Sequence, residues 1–244
     1  LLVLLCSFAE AGSTMKYGID ARNDVDAACE LRYTDGQEIP SYIEFCASSQ
    51  IDFANWQNWF KSEFNLESNY GFELLNSIND QFGTHYRYKQ TYSGYSVDIA
   101  HIIIHTNTNG KVKSINGFAI NQKQLNTRPT LSFDEGLSSA KNAMGARVYK
   151  WEIPEEETHL KAEQNDLNAS YYPSGDLVFI TKNASSTSSN IRLARLYDLY
   201  SQEPLSRIKF YIDAVNGEIL LEEELIHTTN KPGTANTGYS GTRA

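Results

Sequence analysis

Two stretches of alternating residues, closed by an Asn-Gly pair, constrain the fold of this chain more than any other feature. Residues 85–90 and 95–105 alternate along the chain, and this period of two predicts antiparallel strands. Asn109-Gly110 follows them and predicts a tight type I′ hairpin, because both central residues of that turn need a positive φ. Residues 112–115 are the predicted returning strand.

The second half of the chain repeats this plan. Further strands are predicted at residues 177–181, 192–199, 207–213 and 218–225. Asn216-Gly217 predicts a second type I′ hairpin between the last two of them.

An amphipathic helix is predicted before each group of strands. Asp52 is the expected N-cap of the first helix. The apolar stripe of that helix consists of Phe53, Trp56, Phe60 and Phe64. Its helical spacing indicates core packing rather than a platform for a ligand. The second helix is predicted at residues 133–144, because Ser132 and Glu135 have the form of a capping box and Gly145 ends the pattern.

These patterns predict an α+β fold class with two tandem small domains, each a helix packed on an antiparallel sheet. We place the domains at residues 12–125 and 126–227, with a Pro-containing linker at 126–129. Residues 228–244 begin with small and polar residues interrupted by Pro and Gly, which predicts an exposed, protease-accessible connector.

The composition excludes some classes of function. Hydrophobic residues make up 41% of the 244 residues, so wholesale disorder is excluded. The chain carries 30 acidic and 21 basic side chains, for a net charge of −9, and this argues against a nucleic-acid partner.

The first residues indicate export. Residues 1–6 are apolar but too few to span a bilayer, which needs roughly 20 such residues. Ala9-Glu10-Ala11 has the pattern that a signal peptidase reads, so residues 1–11 are predicted to be the remnant of a signal peptide. The alternative is an apolar N-terminal strand. Because the chain lacks an initiator Met and ends abruptly at Ala244, we expect it to be a piece of a longer protein.

Two cysteines would remain after such a cleavage. Cys29 and Cys46 are a candidate disulfide in an exported chain, and two free buried thiols are the alternative. Neither cysteine lies in a CxxC motif or near a matching His, which argues against a zinc site.

The sequence identifies no catalytic and no metal-binding residue. His101 and His105 have the spacing of a zinc-metalloprotease helix, but on a strand they would lie roughly 13 Å apart. His85, His159 and His227 are isolated in sequence. The acidic runs, Asp20, Asp24 and Asp26 and residues 155–157, are interpreted as solvated segments. From these residues alone, the chain is an exported packing or binding module rather than an enzyme.

Several motifs nevertheless resemble a known family. The segments that carry the resemblance are His85-Tyr86-Arg87-Tyr88-Lys89-Gln90, Tyr92-Ser93-Gly94, Asn109-Gly110-Lys111-Val112 and Ser114-Ile115-Asn116-Gly117. They resemble the fungalysin/thermolysin propeptide domain. The second half, through residues 133–144 and Tyr211-Ile212-Asp213-Ala214, is similar to a PepSY domain. Gly233-Thr234-Ala235 and Tyr239-Ser240-Gly241-Thr242 are similar to the start of a mature thermolysin-like zinc metallopeptidase.

The resemblance implies the propeptide of a secreted zinc metalloendopeptidase, with two cystatin-like or PepSY-like domains. Such a propeptide is an intramolecular chaperone and inhibitor of its own downstream catalytic domain, which is the implied partner. Zinc and calcium would belong to that missing domain, because the HExxH helix is absent and no zinc ligand can be assigned to this chain. The full-length precursor would be the enzyme.

The segment that enters the connector is the candidate for cleavage and inhibition. It consists of Ile226, His227, Thr228 and Thr229. The alternative function is a free-standing secreted protease inhibitor or an envelope binding module built from the same two domains.

Overall fold

The first half of the molecule is a curled antiparallel sheet with two helices. The computed structural model describes residues 12–182 and 190–226, together with the backbone of 235–237 and 241–243. The strands are β1 (Ser13–Tyr17), β2 (Ala28–Thr34), β3 (Tyr42–Phe45), β4 (Tyr70–Asp80), β5 (Gly83–Tyr92), β6 (Tyr95–Thr106) and β7 (Val112–Gly117). The helices are α1 (Gly18–Asp24) and α2 (Trp56–Glu63), and a 3-10 turn at Phe53–Asn55 leads into α2.

The second half has the same kinds of element in a different order. Its helices are α3 (Phe133–Met144) and α4 (Pro154–Gln164). Its strands are β8 (Val148–Tyr149), β9 (Asp176–Thr181), β10 (Ile191–Glu203), β11 (Ser206–Asp213) and β12 (Ile219–Glu224), followed by the short pair β13 (Ala235–Thr237) and β14 (Gly241–Arg243).

Strand β6 belongs to both halves of the molecule. Its C-terminal part pairs with β7, while Ser96 and Val97 near its start pair in parallel with β9. β1 to β12 therefore form one 12-stranded sheet. The cluster beneath the junction includes Val97 from the first half and Phe179 and Leu193 from the second. The predicted α+β class is confirmed, and the sheet is continuous across the predicted domain boundary.

The aromatic stripe of α2 packs into the core, as predicted. Trp56 and Phe60 are buried, and Phe53 and Phe64 are half-buried against the same cluster. Asp52 differs from the prediction, because its side chain does not cap the helix but pairs with Lys111 at 2.7 Å. The backbone of Asp52 forms a bridge to Lys111, which places the carboxylate beside the ammonium group.

Helix α3 begins and ends at the predicted residues. The Ser132 side chain accepts from the Glu135 N–H, and the Glu135 carboxylate accepts from the Ser132 N–H, so the capping box is complete. Gly145 ends the helix at a φ of 64°. Leu137 and Ala140 pack on Tyr197 and Phe210 of the sheet.

Both Asn-Gly pairs lie in turns, but neither forms the predicted type I′ turn. In each pair only the glycine has a positive φ, 73° at Gly110 and 77° at Gly217. The residue that opens each loop explains the difference. The Asn107 side chain accepts from the N–H groups of Asn109 and Lys111, and Asp213 binds the corresponding loop in the second half. These side chains stabilise longer loops, in which a single glycine adopts the left-handed conformation.

Asp20, Asp24 and Asp26 are exposed, as predicted for a solvated segment, and both acidic runs contribute residues to helices. Residues 155–157 form the first turn of α4, where Pro154 starts the helix and the glutamates face its positive end. Asp20 and Asp24 lie in α1, and Asp24 accepts from Lys16 (2.5 Å) and Tyr33 (2.9 Å). The Lys16 ammonium lowers the pKa of Asp24.

Candidate docking face and junction segment

The conspicuous motif of the sequence, residues 85–94, forms strand β5 and the turn after it. Tyr88, Gln90 and Tyr92 are buried on the side of the core. The Gln90 amide both donates to the Ile120 carbonyl and accepts from the Ile120 N–H, at 2.9 Å each. A fully buried amide requires such partners, so Gln90 attaches the segment after β7 to the sheet.

Close packing requires the glycine at the end of the segment Ser114-Ile115-Asn116-Gly117. Gly117 has a φ of 130°, and a Cβ built there would lie 2.2 Å from the His101 carbonyl oxygen. No side chain fits against a backbone group at that distance. The motif therefore specifies how β7 approaches β6.

The side of the first-half sheet that faces away from the core is called its open face. We define it by two rows of directly paired residues. One row is Met15, Arg32, Tyr42, Asn116, Ile103, Arg87 and Asn76. The other is Tyr17, Glu30, Glu44, Ser114, His105, His85 and Ile78. Within the described part of the chain, none of these side chains belongs to a hydrophobic core cluster.

The open face combines exposed apolar groups with charged side chains. Met15, Tyr17 and Ile78 are 51%, 56% and 65% exposed. Arg32 donates to Glu30 and lies 4.7 Å from the ring centre of Tyr42. Met15 and Tyr17 lie on β1 at one end of the rows, and Ile78 lies on β4 at the other end.

Strand β4 extends this surface to an unpaired edge. Among the described strands β4 pairs only with β5, so its other side has free backbone groups. Leu75 on this strand is 44% exposed, and Phe82 at the adjoining turn is 72% exposed. Leu74 is 49% exposed but pairs with Tyr88, so it lies on the core side.

A polar cluster that sequence reasoning missed lies on the open face. His85 and His105 are opposite each other on β5 and β6, with their Nδ1 atoms 2.5 Å apart. His85 Nε2 contacts Asp80 at 3.1 Å, and His105 Nε2 contacts the Asn116 side-chain oxygen. The Phe82 backbone N–H and the His85 imidazole hold the pKa of Asp80 below its usual value. Burial lowers the pKa of His105.

His101 and His105 lie on strand β6, as the sequence predicted. No three His, Cys, Asp or Glu side chains converge on a metal position within residues 12–182 and 190–226. None of the helices in the described parts of the chain is long and apolar enough to cross a bilayer.

The candidate junction segment begins where the chain leaves the sheet. The Leu225 N–H donates to the Arg207 carbonyl at 2.8 Å, and the half-buried Ile226 follows it. His227, Thr228 and Thr229 lie outside the described residues, as do the predicted signal-peptide remnant at residues 1–11 and the connector residues 228–234.

The two candidate cysteines lie together where β2 begins and β3 ends. Cys29 on β2 and Cys46 after β3 are joined by a disulfide, with their Cα atoms 4.9 Å apart.

We predict that this bond forms in the purified protein. Cleavage without reductant should yield one peptide that contains both cysteines, and reduction should lower the free energy of unfolding by about 3 kcal/mol, the value for a loop of this size. Peptide mass mapping and urea denaturation with and without reductant check both points. Two free thiols in the native protein would contradict the prediction.

Strands β4 to β7 are similar to a known family motif. Residues 70–118 match the fungalysin/thermolysin propeptide motif. The propeptide motif comprises these four strands, and it supplies both histidines and the central residues of the open face. Among solved structures, the C-terminal domain of YpeB from Bacillus megaterium is similar at 12% identity over 81% of this chain and 77% of that chain, with a TM-score of 0.35. No curated protein matches the chain.

The motif match confirms the resemblance of this part of the first half. The similarity of residues 126–227 to a PepSY domain, and that of the last residues to the start of a mature protease, stay predictions.

Proposed function

We propose that this chain is the propeptide of a secreted zinc metalloendopeptidase of the thermolysin/fungalysin type, and that it inhibits its catalytic domain and assists its folding. The observation that carries the proposal is the propeptide motif at residues 70–118. The zinc and calcium would be bound by that catalytic domain and not by this chain.

The open face is the surface through which the chain would bind the catalytic domain. It is formed largely by strands of the propeptide motif, it leaves Met15, Tyr17 and Ile78 exposed, and it adjoins an unpaired strand edge. A catalytic domain seated there would cover apolar area that is otherwise in water, which favours association. Ile226, His227, Thr228 and Thr229 would enter the substrate groove and be cut when the enzyme matures.

Continuation of the reading frame beyond Ala244 gives the first test. We expect a catalytic domain with an HExxH motif within the next couple of hundred codons. A stop codon soon after Ala244 would contradict the proposal and favour a free-standing inhibitor.

Inhibition by the purified chain gives the second test. The chain should inhibit peptide hydrolysis by that catalytic domain and raise the yield of active enzyme on refolding. Ile78→Asp should weaken inhibition at least tenfold, because it places a charge at an exposed apolar position of the open face. Leu205→Asp is the matched control, since Leu205 is 50% exposed in the turn between β10 and β11, and its inhibition constant should change less than twofold.

The same reaction mixtures also locate the cut. Mass spectrometry should find the first cleavage between residues 226 and 233. Absence of inhibition at saturating chain, with no gain in refolding, would refute the proposed role. Equal loss of inhibition in both variants would refute the open face as the docking surface.

A further inference from the structure

The hydrogen-bond partners of His85 and His105 determine where the ring protons lie. A carboxylate only accepts hydrogen bonds, so the contact to Asp80 Oδ2 requires a proton on His85 Nε2. The Asn116 side-chain oxygen also accepts, so His105 Nε2 carries a proton too. A neutral imidazole has one N–H group, and each Nδ1 atom is therefore left with its lone pair.

The two lone pairs point at each other. The Nδ1 atoms are 2.5 Å apart, and the ring centres are 4.7 Å apart at an angle of 67°. Two lone pairs at this distance repel unless a cation lies between them. With these hydrogen-bond partners, the arrangement accommodates either a shared proton or a metal ion.

We propose that His85 and His105 form a two-imidazole site for a divalent transition-metal ion of the nitrogen-preferring class, such as Zn²⁺, Ni²⁺ or Cu²⁺. Two nitrogens bound at about 2.05 Å lie ~2.9 Å apart in a square arrangement and ~3.3 Å apart in a tetrahedral one. The rings would separate by less than 1 Å on binding, which small χ changes of these two half-buried residues provide. This site is separate from the zinc of the proposed catalytic domain.

The surroundings support metal binding rather than proton sharing alone. Asp80 and Asn116 each fix the outer nitrogen of one ring, which is the arrangement that orients metal-binding histidines. Asp80 is itself held by the Phe82 and Gly83 N–H groups, at 2.8 and 3.2 Å. The Asp80 carboxylate acts on His85, while the positive charge of Lys113 acts on His105. The His85 side chain is 31% exposed, so water or a donor group of a partner can complete the coordination.

Titration of the full chain with ZnCl₂ and, separately, NiCl₂ tests the proposal, with calorimetry for affinity and imidazole ¹⁵N NMR for the ligating atoms. We expect one ion per chain at pH 7.5 and shifts of both Nδ1 resonances. His85→Ala and His105→Ala should each abolish binding. Asp80→Asn should weaken it about tenfold, because the outer hydrogen bond becomes neutral. At pH 5 binding should disappear, since protons compete for both nitrogens.

His101→Ala is the matched control, because His101 lies on the same strand but faces Lys89 across the ladder. Its affinity should equal that of the unmodified chain. Binding that survives His85→Ala, or absence of binding at pH 7.5 with the two rings sharing a proton, would overturn the proposal. Far-UV circular dichroism of each variant separates loss of the site from loss of the fold.

Discussion

Asp213→Ala should lower the free energy of unfolding by about 3 kcal/mol, the lower end of the cost of breaking a buried ion pair. Asp213 is 1% exposed, and its Oδ2 atom lies 2.5 Å from Arg192 Nε. Its Oδ1 atom accepts from the N–H groups of Val215 and Asn216, at 2.8 and 2.9 Å. One carboxylate thus stabilises the loop before β12 and neutralises an arginine on β10. Alanine would remove both interactions and leave the loop N–H groups without their partner.

Glu218→Ala is the matched control for this prediction. Glu218 contacts the same arginine at 2.6 Å, but it lies in the exposed part of the cluster and also pairs with Lys182. Exposed pairs contribute less than about 1 kcal/mol, so this variant should remain close to the unmodified chain. Urea denaturation followed by circular dichroism measures both. Equal losses would show that the arginine, rather than the buried carboxylate, carries the stability.

Trp56→Ala should cost about 3–5 kcal/mol, the usual range for removing a large aromatic side chain from a core. Trp56 is 2% exposed and packs against Phe72 and Tyr88, with ring centres 5.0 and 4.7 Å apart. It connects α2 to β4 and β5, so the cavity would open beneath the propeptide motif. The variant should denature at a much lower urea concentration.

Trp59→Ala provides the comparison within the same helix. Trp59 is half-buried and packs at the edge of the cluster against Phe45, at 4.9 Å. It should lose less than half as much stability as Trp56→Ala. If Trp56→Ala kept its stability but lost the ability to inhibit a protease, the aromatic stripe would be a binding surface and the core interpretation would be wrong.

The sequence predicted the elements whose signals are local. The capping box of Ser132 and Glu135 located α3 to the residue. Strands β5, β6 and β7 were found from alternation and turn residues. The elements before residue 50 were not predicted from the sequence, because β1, α1, β2 and β3 contain only four to seven residues each. The outer sides of the three strands belong to the open face, and elements this short leave too little apolar pattern to recognise.

The histidine pair was hidden by an irregular register. Tyr92 pairs with Tyr95 and Thr91 with Ser96, and counting onward from this turn would place His85 opposite Ile102. An irregularity opposite Gln90 shifts the pairing, so Lys89 faces His101 and His85 faces His105. A change of register determines which side chains lie opposite each other, and no local sequence pattern predicts this change.

The parallel contact between β6 and β9 has a consequence for synthesis on the ribosome. Ser96 and Val97 receive their partners on β9 only after Val178 and Phe179 have been made. At roughly 5–20 residues per second, this edge of β6 stays unpaired for several seconds after its own translation. During that interval the nascent chain presents an open strand edge, a site at which holdase chaperones would act. The pairings among β1 to β7 lie within residues 13–117, whereas this edge of β6 waits for the second half to emerge.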